Sequence, residues 1–160
     1  MQQKETTNPG EITDFIDISR LPDAGRIIAL DPGTKRVGVA VCDELRVTCR
    51  ALPFVERTSW KKLLIRVKDI LEEFDAGALV IGLPYNFDGT ESEMTAEARR
   101  LARNFSLSLD IPVFLQDERA TTWEARGRLW EQGLDKKEAR KYTDSAAAAI
   151  ILEDFLDRIK

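Results

Sequence analysis

One short stretch, ALDPGTKRVGVAV (29–41), does most to constrain the fold. An apolar run reaches an aspartate, turns through Pro-Gly, and resumes as a second apolar run. Asp31-Pro32-Gly33-Thr34 is good turn chemistry, because proline presets its own φ and glycine tolerates a sharp bend. The run before it, RIIAL (26–30), is β-branched, and RVGVAVC (36–42) after it alternates small and apolar residues. LRVTCRALPFV (45–55) alternates again beyond Asp43-Glu44. Three strand-like runs with short connections predict two successive antiparallel hairpins.

The pattern then changes period. After Thr58 or Ser59 as N-cap, Trp60, Leu63, Leu64, Val67, Ile70, Leu71 and Phe74 form one helical stripe, and Gly77 stops it. ALVIG (78–82) is a continuous apolar run, as expected of a buried central strand. A loop, LPYNFDGTES, leads to a second helix, with Thr90 and Glu93 as a candidate capping box and a stripe of Met94, Ala98, Leu101, Ala102, Phe105 and Leu109. IPVFLQ (111–116) is a fifth strand. A third helix is expected over about 122–132, closed by Gly133, then a basic, partly helical connection and a last helix from about Asp144 to Ile159. The order β-β-β-α-β-α-β-α-α predicts an α/β fold: a mixed five-stranded sheet flanked by helices.

The chain has 160 residues, enough for one domain with a sizeable core. Residues 1–24 are polar and carry a net charge of −3, which predicts a mobile acidic N-terminal extension before a single domain over 25–160. No apolar run reaches the ~20 residues of a membrane span, and no secretory leader is recognisable, so a cytoplasmic location is expected. Cys42 and Cys49 are expected as reduced thiols. Histidine is absent, which excludes His-based triads and His-ligated metals. The formal charge of −4 hides basic clusters at 57–68, at Arg99, Arg100 and Arg103, and at 119–141, so one face is able to meet a polyanion.

Four acids fall at element ends: Asp31 after the first strand, Asp117 and Glu118 after the fifth, and Asp144 at the start of the last helix. Each has a structural explanation, as a turn former, an ion pair or a helix-dipole partner. Asp144 shares a stripe with Ala148, Ile151 and Phe155, where an acid is costly unless paired or bound to a cation. Converging oxygen ligands suit a hard cation such as Mg²⁺ or Mn²⁺, and phosphoryl transfer is chemistry that uses one.

The blocks ALDPGTKRVGVAV, VIGLPYNFDGTES, DERATTWEAR and DSAAAAIILEDFL resemble the YqgF/RuvX family of the RNase H-like superfamily. They occur in the family's order and cover about 26–159. Members are called pre-16S rRNA nucleases or Holliday junction resolvases. The resemblance implies an RNase H-like sheet and a metal-dependent nuclease with Asp31, Glu118 and Asp144 as catalytic and metal-binding acids. Asp117 is the alternative to Glu118, since strand neighbours point to opposite faces. The resemblance also marks the Pro84-x-Asn86-x-Asp88-Gly89 loop as substrate-side, with Lys35, Arg36, Asn86 and Arg119 as candidate contacts. The expected partner is nucleic acid, a structured RNA or a four-way DNA junction, with no membrane. Trp60, Trp123 and Trp130 lie at core-like spacing and are read as packing rather than base-stacking residues.

Two other classes compete. Asp31-x-Gly33-Thr34-x-x-x-Gly38 is similar to the phosphate loop of actin, Hsp70 and sugar kinases. Those proteins pair two such domains, and this chain has no second such loop. A non-catalytic RNA-binding assembly factor is the other, since fold does not dictate activity.

Overall fold

Hydrophobic residues separate cleanly onto the two faces of one twisted sheet in the computed structural model, which describes residues 18–86, 88–118 and 136–160, with backbone alone for 18 and 136–144. The strands are β1 (Ile27–Pro32), β2 (Arg36–Cys42), β3 (Cys49–Glu56), β4 (Ala78–Leu83) and β5 (Val113–Asp117). The helices are α1 (Trp60–Glu73), α2 (Glu93–Ser108) and α3 (Lys136–Ile159). The sheet order is β3-β2-β1-β4-β5. β1, β2 and β3 pair antiparallel, whereas β4 pairs parallel with both β1 and β5. This is the mixed five-stranded sheet expected from the change of period along the chain, and it agrees with the RNase H-like sheet that the family resemblance implies.

β1 and β4 lie in the middle and are apolar on both faces. Ile28, Leu30, Leu79 and Ile81 pack with Leu63, Val67, Ala98, Leu101 and Phe105 beneath α1 and α2. Ile27, Ala29 and Val80 pack with Ala148, Ile151, Leu152 and Phe155 of α3. Trp60 joins the first cluster, its ring edge-on to Phe105 with centroids 4.8 Å apart.

Several boundaries differ from expectation for local reasons. β3 starts at Cys49 rather than near 45, because the Asp43 carboxylate accepts from the Val47 and Thr48 amides at 2.7 and 2.8 Å. Arg46 turns left-handed there at φ 59, and Leu45 and Val47 are left exposed. The second helix is capped by Ser92 and Thr95, not by Thr90 and Glu93. Thr90 donates both its amide and its hydroxyl to the Asp88 carboxylate, so it belongs to the loop. β1 continues through Asp31 and Pro32, which pair with Gly38 and Val37. α3 begins at Lys136, so Asp144 lies inside the helix rather than at its start.

Of the expected extension over 1–24, residues 1–17 lie outside the described residues. Ile18–Arg20 form a 3₁₀ turn, and the Pro22 carbonyl accepts from Arg46 Nη2 at 2.6 Å. The helix expected over 122–132, with Trp123 and Trp130, also lies outside them. Among the described residues no helix is long and apolar enough to cross a membrane.

Candidate active site

Asp31 and Gly82 occupy adjacent places on β1 and β4, since Leu30 pairs with Ile81 one residue earlier. Strand alternation puts Asp31 on the same face as Ala29, the face covered by α3. Glu118 follows β5 and continues its ladder, its amide donating to the Leu83 carbonyl at 3.2 Å. Its carboxyl group lies over Gly82: a Cβ built there would sit 2.7 Å from Glu118 Oε2 and 2.5 Å from Ile151 Cδ1. A glycine at 82 therefore leaves the space through which Glu118 reaches Asp31 across one intervening strand.

The two carboxyls touch. Burial, the negative charge of Asp31 and a hydrogen bond to Asp31 push Glu118 up to about 10. The pair thus shares a proton, with Glu118 donating to Asp31. Two carboxylates this close cannot both ionise cheaply in a buried place. Asp31 and Glu118 are the residues that would hold a divalent cation, whose charge would offset the repulsion, and an all-oxygen donor pair suits a hard ion. The residues present fit such an ion. Asp117 alternates to the other face of β5 and, at that edge of the sheet, lines a depression with Gln116 and with Asp154, Asp157 and Arg158 of α3, near enough that its charge also raises Glu118.

Asp144 enters through the backbone of α3; its side chain lies outside the described residues, and so does all of Arg119. Among the described residues alone, no three acids group closely enough to hold a metal. The next residue, Ser145, is fully buried, and its Oγ accepts from the Val39 amide at 3.0 Å. The β2–β3 register shifts between Val37 and Val39, which leaves that amide without its ladder partner. Ser145 thus ties α3 to the strand whose Gly38 faces Asp31.

The turn carrying Lys35 and Arg36 is braced from β3's end. Gly33 donates to the Arg36 carbonyl at 2.9 Å, and a Cβ at Gly33 would lie 2.5 Å from that oxygen. The Arg57 amide donates to the Lys35 carbonyl, and its guanidinium to the Gly33 carbonyl at 3.1 Å. Arg57 also pairs with Glu97 on α2, which Arg100 holds from the other side at 2.8 Å. Lys35 and Arg36 are exposed, the Arg36 guanidinium 4.8 Å from the Phe54 ring centroid. Asn86 is exposed as well, but its amide donates to Thr90 Oγ1 at 3.0 Å and closes the loop upon itself. Arg99 pairs with Glu91. Part of the basic clustering read from the sequence is thus consumed internally.

Sequence reading missed Gly82, Ser145 and the Arg57–Glu97–Arg100 brace. Gly82 was visible as a glycine inside an apolar strand, a signal of close approach. Nothing local marked the other two.

A mixed sheet of this order, with a half-buried acidic pair at the ends of β1 and β5, defines an RNase H-like fold. The family model described as "RuvX: Holliday junction resolvase" matches residues 25–158. The chain belongs to the RuvX family. A protein of Syntrophus aciditrophicus named "Putative pre-16S rRNA nuclease" is 40% identical over 134 residues, covering 84% of this chain and 89% of its own. One of the same name from Citrobacter koseri is 37% identical over 135 residues, covering 84% and 98%. Among solved structures, Thermus thermophilus RuvC in complex with a Holliday junction superposes with a TM-score of 0.52 at 19% identity, over 84% of this chain and 96% of that one. The fowlpox virus resolvase with Holliday junction DNA gives 0.55 at 12%, over 84% and 98%. At those identities the likeness is one of fold.

Proposed function

We propose that this chain is a metal-dependent endonuclease that hydrolyses phosphodiester bonds, acting in the cytoplasm on the 5′ end of precursor 16S rRNA. The observation that carries the reading is the half-buried Asp31–Glu118 pair meeting across Gly82. The name shared by relatives at 37–40% identity supports the RNA substrate.

In this reading Asp31 and Glu118 hold the ion, Mg²⁺ or Mn²⁺, and Asp144 completes the acidic set from α3. When bound, a divalent ion polarises a phosphoryl oxygen and makes water more acidic. The protein's own work is placement. The sheet fixes both carboxyls, and Ser145 fixes the phase of α3. Lys35, Arg36 and Arg119 position the charged backbone of the strand, while Asn86 shapes the loop beside it. The domain over 25–160 performs this work, and the acidic extension screens its basic face until substrate arrives.

The family model's own description favours a second substrate, a four-way DNA junction. One experiment separates the two. The chain and Asp31→Asn are incubated with a precursor rRNA 5′ leader and with a four-way junction, each with Mg²⁺, Mn²⁺ or EDTA. The expected result is metal-dependent cutting of the RNA, reduced about a thousandfold in Asp31→Asn, the value of several kcal/mol of lost transition-state stabilisation. Cutting of the junction alone promotes the resolvase reading. Undiminished cutting by Asp31→Asn overturns the site, and tight RNA binding without cutting points to an assembly factor.

A further inference from the structure

At the opposite end of β2 from the turn beside Asp31, two thiols face each other across the hairpin. Cys42 and Cys49 are direct partners in the antiparallel register of β2 and β3. The neighbouring pair, Asp43 and Thr48, is joined by the bond from the Asp43 amide to the Thr48 carbonyl at 3.0 Å. Hydrogen-bonded and non-hydrogen-bonded pairs alternate along an antiparallel ladder, so Cys42 and Cys49 form a non-hydrogen-bonded pair. Such pairs bring Cα atoms to about 4.5 Å, inside the span of about 4.4–6.8 Å that a disulfide bridges. Both side chains belong to the α3 face of the sheet, Cys42 within its core and Cys49 packed against it. Both also line a cavity of about 240 Å³ with Arg26, Thr48 and Arg50.

We propose that Cys42 and Cys49 are an oxidation site, forming a reversible cross-strand disulfide by exchange with a low-molecular-weight disulfide such as oxidised glutathione. The two thiols have different parts. Cys42 is 2% exposed, and burial pushes its thiol up. Cys49 is half-buried and stands at the cavity wall, the more accessible of the two thiols. Cys49 therefore opens the exchange. Its thiolate attacks one sulfur of the small disulfide, whose S–S bond breaks and releases one small thiol. The Cys42 sulfur then attacks Cys49 Sγ in the mixed disulfide, and the second small thiol leaves with the remaining proton. Two protein thiols are oxidised and one small disulfide is reduced.

Cys42 Sγ accepts from the Ile27 amide at 3.2 Å in the reduced form. Closing the bond competes with that weak sulfur acceptor. The bond is thereby disfavoured against a relaxed structural disulfide, as a reversible one must be. It also closes only the short turn around Arg46, so little chain entropy holds it shut.

The test needs no nuclease activity, so its failure leaves the proposed function untouched. The full chain is equilibrated without oxygen in glutathione buffers from fully reduced to fully oxidised. It is then trapped with N-ethylmaleimide and examined by intact mass and peptide mapping. The expected oxidised species takes up no maleimide, has lost the mass of two hydrogens, joins Cys42 to Cys49 within one chain, and reverts in reduced glutathione. Cys42→Ser is expected to stop with one glutathione on Cys49, and Cys49→Ser to gain none. Two alkylated thiols in the most oxidising buffer, a lasting glutathione adduct on the parent chain, or a bond between two chains would each overturn the proposal.

Discussion

Glu118 and Glu97 are the same residue type pushed in opposite directions from the same ordinary value of 4.5. Glu118 rises to about 10, chiefly because it is buried and then because it faces Asp31. Glu97 falls to about 2, held first by its hydrogen bond to Arg100 and then by Arg57. One region gathers like charge in a buried place and is costly as it stands. The other gathers opposite charges near the surface and serves as a strut. A brace is complete without a ligand, whereas the acidic pair, in the function proposed above, takes up a cation. The brace supports the turn that carries Lys35, which follows Asp31 in the chain.

The largest way to disturb this contrast is to fill the space between the acids. Gly82→Ala puts a methyl against the Glu118 carboxylate and Ile151, and a displacement of about 1 Å lowers cleavage about a hundredfold. Overpacking also costs about 1–3 kcal/mol in denaturant unfolding. Unchanged turnover with unchanged stability would show that the carboxyl does not depend on that space. Ser145→Ala comes next. It leaves the buried Val39 amide without an acceptor and destabilises by about 1–3 kcal/mol, read from urea midpoints. A shift near zero would mean that the helix is anchored elsewhere.

Glu118→Gln sharpens the contrast through pH. In the folded chain Glu118 keeps its proton up to about 10, whereas the unfolded chain releases it near 4.5. Folding therefore takes up a proton in that window, and the stability contribution is fullest below 4.5 and declines as pH rises toward 10. Melting temperatures in EDTA from pH 5 to 9 are expected to fall with pH in the parent, and to fall less in Glu118→Gln. Equal slopes would remove the shared proton from the account. The smallest effect is at the brace. The depressed Glu97 stabilises above 4.5, and that contribution is lost as pH falls from 4.5 to about 2. Glu97→Gln costs about 1 kcal/mol or less at neutral pH, because Arg100 is largely exposed. Acid unfolding of the variant should begin at the parent's pH or higher, and a lower onset contradicts the brace.

Much was legible in the sequence because it is written in local periods. The alternation around Asp31 and the apolar run at 78–82 specified strands, and the stripes at 60–74 and 94–109 specified helices. The absence of histidine narrowed the chemistry to oxygen ligands. Four blocks in order identified the family. Strand alternation also told that only one of Asp117 and Glu118 enters a given face.

The rest depended on which strands become neighbours. β4 enters the sheet between β1 and β5, and that makes a single glycine the gap through which Glu118 reaches Asp31. The register of β2 against β3 sets Cys42 opposite Cys49, and the shift at Gly38 leaves the amide that Ser145 takes up. These contacts join residues far apart in the chain, and no local propensity encodes them. Backbone pairing and core packing decide them together, because only one arrangement buries both faces of β1 and β4 while leaving the acids able to meet.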